Sequence, residues 1–345
     1  MSTTTDTPEI IIPRPGTEVS SPISSISGPS EGSFTSTFGN LLPGAQFLST
    51  EYGKIAYYTY APLASTSTSS SGSTVPSIPA SPSGQNVLFL HGVQTPALGL
   101  HPLAKSLHAK FPQAEFVLVD LWGHGLSSTP LVAHTPSLFH SLISALLEHL
   151  HWEECHLIGY SFGGATAISY IASDPDSASN PSKTNIQSIS LIAPAGLWKS
   201  PDLDKEKLYS TDFGVAKAHV LDLLEGGPLI IPSDWESRVA KGEIVAEKVR
   251  EWQMENHPSH TASVVAIVRD GGVFGLEEEY SRAAKLGVPI LAVLGENDDV
   301  VFEKDLQAVG IERVVVVKGA GHAVVRQKVD QVAGHIQEFW DGLQV

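Results

Sequence analysis

The chain holds a single cysteine, Cys155, among 345 residues, so no disulfide can form within it. That scarcity argues against an oxidising compartment and favours the cytoplasm. Basic residues are also few: 21 Lys and Arg stand against 37 Asp and Glu, a formal net charge of -16. A field of that sign repels phosphate backbones and anionic headgroups, which argues against nucleic acid and membrane surfaces as partners. The opening residues, MSTTTDTPEIIIPRPG, have no basic start and only a three-isoleucine apolar run, too short for a signal peptide or a membrane span. The closing residues Leu343, Gln344 and Val345 carry no peroxisomal or prenylation signal. His149, His151 and His156 lie close to Glu148, Glu153 and Glu154 in the sequence. Residues two apart on a helix do not share a face, however, and this segment reads as a helix end entering a strand. No metal and no cofactor is expected.

What is present is apolar material, 42% of the chain, enough for one large core. We read residues 44–345 as one catalytic domain. Residues 1–38 are dominated by Ser, Thr, Pro and Gly and are expected to form a disordered tail, because so few apolar positions cannot offset the entropy of ordering. A second such stretch, 65–84 (STSTSSSGSTVPSIPASPSG), reads as a flexible insertion inside the domain.

QFLST and KIAYYTYAP flank Glu51, Tyr52 and Gly53 and predict an antiparallel hairpin. After the insertion come NVLFLHG, EFVLVD, CHLIGY, SISLIAP, VPILAVLGE and RVVVVKG, each an apolar run of strand length bounded by Gly, Pro, Asp or His. Such runs suit strands buried on both faces, and helix-compatible segments lie between them. The alternation predicts an α/β fold with a mostly parallel sheet flanked by helices. It breaks after the sixth strand, where residues 196–286 show helical patterns and no convincing strand. This stretch is expected to be a helical cap over the carboxyl edge of the sheet.

Parallel sheets place ligand sites beyond the carboxyl ends of their strands, and three polar residues stand there. Ser161 lies in Gly159, Tyr160, Ser161, Phe162, Gly163, Gly164, directly after CHLIGY and before the helical run ATAISYIA. A nucleophile on a sharp strand-to-helix turn needs close backbone approach, which the flanking glycines permit. His322 follows RVVVVKGAG and precedes a run with Val325, Val329, Val332, Ile336 and Phe339 at helical spacing, which puts its imidazole on a loop facing the sheet edge. A serine hydroxyl needs a base to become a strong nucleophile, and histidine is suited to that proton exchange. A carboxylate in LGENDDVV could orient the imidazole. Asp298 is preferred, with Asp299 and Glu296 as alternatives. The N–H groups of Val93, in HGV, and Phe162 are placed to hold a developing oxyanion.

Together these motifs resemble the α/β-hydrolase superfamily, in the serine-nucleophile branch with a helical cap. HGV, DLWGHGLSS (Asp120 to Ser128), GYSFGG, GENDDVV and GAGHAVV occur in the family's order and strand contexts. The resemblance implies an eight-stranded sheet and an esterase-like reaction: Ser161, Asp298 and His322 would cleave a carboxylic ester of a small or medium apolar substrate through an acyl-enzyme. Thioester hydrolysis, perhydrolysis and carbon–carbon cleavage could use the same triad, and some relatives bind a ligand without turning it over. A serine at the elbow excludes the aspartate-nucleophile chemistry of epoxide hydrolases and haloalkane dehalogenases. VQTP follows HG where carbon–carbon hydrolases usually carry a Gly/Ser-rich run. Within the expected cap, Trp198, Trp235, Trp252, His257, His260 and Phe274 are candidate substrate contacts, although aromatics also build ordinary cores. Asp120 is expected to brace the glycine loop that follows it.

Overall fold

Runs of Val, Leu, Ile and Phe pair as strands where both faces can be covered, and eight of them form one sheet. The computed structural model describes residues 9–17, 22–63, 85–173 and 184–343. Its strands are β1 (Ser25–Ile26), β2 (Gln46–Thr50), β3 (Gly53–Tyr60), β4 (Asn86–Leu90), β5 (Glu115–Val119), β6 (Thr129–Pro130), β7 (Glu154–Tyr160), β8 (Asn185–Ile192), β9 (Ile290–Gly295) and β10 (Val314–Val317). The large sheet runs β10-β9-β8-β7-β4-β5-β3-β2. β3 is antiparallel to both β2 and β5, and every other neighbouring pair is parallel. All eight strands read from the sequence are present.

The central strand shows why. Val87, Leu88, Phe89 and Leu90 are all fully buried, yet they divide by the two-residue period of a strand. Leu88 and Leu90 enter one core cluster, while Val87 and Phe89 enter the other. Each such side chain contributes roughly 1.5–3 kcal/mol through burial.

The helices of the first half are α1 (Glu31–Phe38), α2 (His101–Lys110), α3 (Pro136–His149) and α4 (Phe162–Ala172). Between β8 and β9 lie α5 (Lys205–Leu208), α6 (Phe213–Glu225), α7 (Trp235–Ala240), α8 (Ala246–Asn256), α9 (His260–Asp270) and α10 (Glu277–Ala283), with no strand among the described residues. The chain closes with α11 (Glu303–Ala308), α12 (Val324–Gln327) and α13 (Val329–Asp341). Leu103 and Leu107 of α2 join Val332, Ile336 and Phe339 of α13 in one cluster; α3 and α4 bring Phe139, Leu142 and Ile168 to the other. Among the described residues no helix is long and apolar enough to cross a membrane.

Residues 22–38 depart from the disordered tail expected over 1–38. β1 pairs antiparallel with β6, and Ser30 caps α1 by accepting from the Ser33 amide at 3.2 Å. Phe34 and Phe38, four apart and therefore on one helix face, meet the Trp252 ring edge-on at centroid distances of 5.3 and 5.9 Å. Ile12, further upstream, is buried against Ala262 and Ala266. The apolar positions in this Ser-rich stretch are few, but distant parts of the chain cover them. Residues 1–8 lie outside the described residues, as does the whole expected insertion at 65–84.

Candidate active site

Ser161 sits between β7 and α4 with φ 51 and ψ -115, a backbone conformation that L residues rarely adopt. Such a conformation costs on the order of 1–3 kcal/mol and persists only where its surroundings over-determine it. Here the surroundings do so. The Ser161 amide donates to Ile192 O at 3.0 Å, while its carbonyl accepts from Gly164, Ala165 and Ala195. At Gly163 a Cβ would lie 2.0 Å from the Leu90 carbonyl oxygen, so only glycine lets α4 approach β4 this closely.

The turn projects Ser161 Oγ to 3.0 Å from His322 Nε2. His322 lies between β10 and α12, and its Nδ1 is 3.1 Å from Asp298 Oδ1 and 3.4 Å from Oδ2. The Asp298 side chain is 1% exposed and the His322 side chain 26% exposed. The carboxylate is thus sheltered while the ring edge remains accessible. Asp298 Oδ1 also accepts from the Val300 amide at 2.9 Å, which fixes the carboxylate. With its proton on Nδ1 facing Asp298, the imidazole has Nε2 free to accept the Ser161 hydroxyl proton. The two alternative acids lie elsewhere: Asp299 is exposed on the cavity wall, and Glu296 accepts from the Gly319 amide.

A cavity of about 250 Å³ opens on these residues, at the small end of ligand pockets. Val93, Phe162, Trp198, Leu223, Leu224, Arg250, Val273 and Arg326 are among its lining residues. Neither the Val93 nor the Phe162 amide has an acceptor among the described residues. The peptide joining Gly92 to Val93 is held from its other end, because His91 Nδ1 donates to the Gly92 carbonyl at 2.7 Å and fixes the plane that carries the Val93 N–H. His91 Nε2 accepts from the Leu121 amide at 2.9 Å, and His124 Nε2 accepts from the Gln94 amide at 3.1 Å. Gln94 has φ 64 and is gripped further by Gln253, whose Nε2 donates to its carbonyl at 2.7 Å. Gln253 Oε1 accepts from the Gly125 amide at 2.8 Å, so one buried amide ties the HGV loop to the glycine loop.

These contacts require neutral rings. Burial lowers His91 to about 4 and His260 to about 3, and it holds His124 well below the usual histidine range with the neighbouring His260 and His91 adding to the effect. Asp120 braces the glycine loop: Oδ2 accepts from the Leu126 amide and the Tyr58 hydroxyl, and Oδ1 from the Ala97 amide. Burial raises its carboxyl to about 6, against the pull of those donors.

Of the six candidate substrate contacts, Trp198 alone is among the cavity-lining residues, and Phe274 stacks on it at 5.3 Å. Trp252 is buried beneath α1, and Trp235 lies under the Lys248 ammonium, 4.6 Å from its ring centre. His257 and His260 turn inward, bonding the carbonyls of Ser127 and Gly123 at 2.9 and 2.8 Å. Trp252 meets α1, His257 and His260 meet the glycine loop, and Trp235 meets Lys248 of α8, partners that a linear reading does not reveal. Sequence reasoning missed His91, His124, Gln253, Arg250 and Arg326. His91 and His124 stand inside motifs already singled out, HGV and DLWGHGLSS, and were the ones within reach.

Residues 87–335 match the family model described as the alpha/beta hydrolase family. The AB hydrolase superfamily protein YisY of Bacillus subtilis (strain 168) is 23% identical over 269 residues, spanning 74% of this chain and 91% of that protein. A bromoperoxidase from Bacillus anthracis superposes with a TM-score of 0.60 at 17% identity, covering 86% of this chain and 100% of that one. A carboxylesterase structure from Nitrososphaera gargenis gives a TM-score of 0.58 at 17% identity, over 87% and 99% of the two chains. At these identities the structural likeness speaks to the fold.

Proposed function

The chain belongs to the alpha/beta hydrolase family, and from that premise we propose that it is a serine hydrolase cleaving a small carboxylic ester through an acyl-enzyme. One observation carries the reading: the unbroken path from Ser161 Oγ through the two His322 nitrogens to Asp298, with links of 3.0 and 3.1 Å. Ser161 Oγ attacks the ester carbonyl as His322 Nε2 takes its proton, and Asp298 stabilises the imidazolium that forms. The carbonyl oxygen becomes an oxyanion held by the Val93 and Phe162 amides. Collapse expels the alcohol, which receives the proton from His322. Water, deprotonated by the same ring, then attacks the acyl-enzyme and releases the acid.

On this reading residues 196–286 form a cap over the site, which is supported by Trp198, Leu223, Leu224, Arg250 and Val273 in the cavity wall. A cytoplasmic location belongs to the same proposal, supported by the single, buried Cys155. The test is labelling with a fluorophosphonate followed by peptide mapping, beside a panel of esters, thioesters and diketones. Labelling at Ser161, with turnover falling by about three or more orders of magnitude in Ser161→Ala, is the expected result. Labelling at another residue, or full ester turnover in Ser161→Ala, refutes it.

A further inference from the structure

We infer that the cavity beside Ser161 takes a substrate carrying a carboxylate, bound between Arg250 and Arg326. The word substrate rests on the hydrolase reading; the anion site does not. Both arginines line the cavity, Arg250 from α8 and Arg326 from α12, four residues after His322.

Their state sets them apart from the other arginines. Of the seven in the chain, Arg238, Arg269 and Arg282 pair with Glu243, Asp270 and Glu279. Arg14 donates to the carbonyls of Tyr209 and Ser210, and the Arg313 guanidinium carbon lies 4.8 Å from the centre of the Phe339 ring. The guanidinium groups of Arg250 and Arg326 have no ion pair or hydrogen bond among the described residues, and each keeps one buried nitrogen, Nε and Nη1 respectively, without a partner. Leaving a guanidinium partly out of water and unpaired is unfavourable unless something compensates it.

Arg326 is held by its face: the guanidinium carbon lies 5.5 Å from the Tyr160 ring centre, and that ring in turn lies 5.6 Å from the His322 ring. Stacking occupies the face of a guanidinium and leaves its in-plane N–H donors available, which is the geometry that matches a carboxylate. An anion on that edge would therefore sit close to the reacting centre.

The remaining charges do not neutralise the pair. Asp299 is the one carboxylate in the cavity lining, and it forms no ion pair with either arginine. Glu225, nearby, accepts from Gln94 Nε2 at 2.9 Å. The chain as a whole carries a net charge of -16, so an anion gains nothing from the general field. Selection for one must come from local cations.

The test compares monoethyl glutarate with ethyl pentanoate, esters of matched chain length that differ in the terminal carboxylate. The unaltered protein is expected to favour the glutarate ester in kcat/KM. The ratio should fall about tenfold or more in Arg250→Gln and in Arg326→Gln, the loss typical of a hydrogen bond to a charged group. Arg→Lys at either position should recover part of it. Glutarate binding to Ser161→Ala, followed by calorimetry, is the second readout. If neither ester is cleaved but glutarate binds and both Gln variants lose it, the anion site stands and the hydrolytic reading falls. If esters are cleaved with no preference for glutarate, or with a preference both Gln variants retain, the anion site is overturned and the hydrolytic reading stands. Failure of glutarate to bind Ser161→Ala also overturns it. Should a Gln variant fail to fold, the ratio and the glutarate binding of the proteins with both arginines intact still decide.

Discussion

Lowering the pH from about 7.5 to about 5 offers protons that the unfolded chain accepts and the folded chain refuses. His91, His134 and His260 are each buried, and burial lowers them from 6.5 to about 4, about 4 and about 3. A folded value below the unfolded one means that the stability is complete above the unfolded value and drains away as the pH falls beneath it, down to the folded value. Over this interval each of the three rings costs about 2 kcal/mol, about 6 kcal/mol in all. Asp120 runs the other way: burial raises it from 3.8 to about 6, so the folded state takes up its proton first and recovers about 1 kcal/mol. His101 and His156 are lowered by burial as well and steepen the fall. The net loss is on the order of 5 kcal/mol or more, a large part of the stability of a typical domain, ~5–15 kcal/mol. Urea denaturation at several pH values measures it directly. The midpoint should drop steeply between about pH 6.5 and about pH 5, and His91→Asn, although less stable at neutral pH, should show a shallower drop by the share of one ring. A stability that stays level or rises over that interval refutes the argument, since neutral burial of these rings leaves no other sign.

Three further outcomes follow from single side chains. Asp298→Asn should cut kcat by about four orders of magnitude in a folded protein, while Asp299→Asn should cost far less; equal losses in steady-state ester hydrolysis would remove the preference for Asp298. Gly163→Ala sets a Cβ 2.0 Å from Leu90 O, where only backbone could yield. It should lower stability by about 3 kcal/mol or more, or leave no soluble protein, and an unchanged melting curve would contradict the contact. Trp252→Ala removes the ring that covers Phe34 and Phe38. A loss of about 3–5 kcal/mol is expected, with faster proteolysis within 31–38, and protection equal to that of the unaltered protein would show that α1 is held by something else.

The sheet was legible because its strands carry their burial in their own composition. Val87 to Leu90 reads as a two-faced buried strand whatever surrounds it, and the same holds for β5, β7, β8 and β9. The positions of Ser161 and His322 were legible for a related reason, since each follows a recognisable strand and precedes a recognisable helix. The segment 22–38 was not. Its signals were present, with Ser30 at a cap position and Phe34 and Phe38 at helical spacing, but Ser and Pro around them diluted the pattern. Its cover comes from distant parts of the chain, among them β6 and Trp252, the latter more than two hundred residues away. A helix of eight residues has little stability of its own and is decided by its tertiary partner, which composition does not contain.

Of the candidate substrate contacts, Trp198 lines the cavity, whereas His257 and His260 turn away from it for a different reason. His257 and His260 flank Pro258 and Ser259 at a helix start in the expected cap, a position open to substrate contact, yet they bond the carbonyls of Ser127 and Gly123. Arg250 and Arg326 lie on helices at positions where a charge ordinarily points to water, and nothing in their neighbours distinguishes them. What distinguishes each is an unmet requirement, a cation partly removed from water with a buried nitrogen that has no partner among the described residues. Histidine, amide and carboxylate side chains around the HGV loop show the opposite condition: Asp120, His91, His124 and Gln253 are all engaged with backbone groups. One set of polar side chains fixes the Gly92–Val93 peptide and the strained Gln94, and a separate set remains unpaired in the cavity. On the proposed reading, rigid placement of the oxyanion donors and open recognition of the ligand fall to different residues, so Arg250 or Arg326 can change without disturbing the peptide that His91 holds.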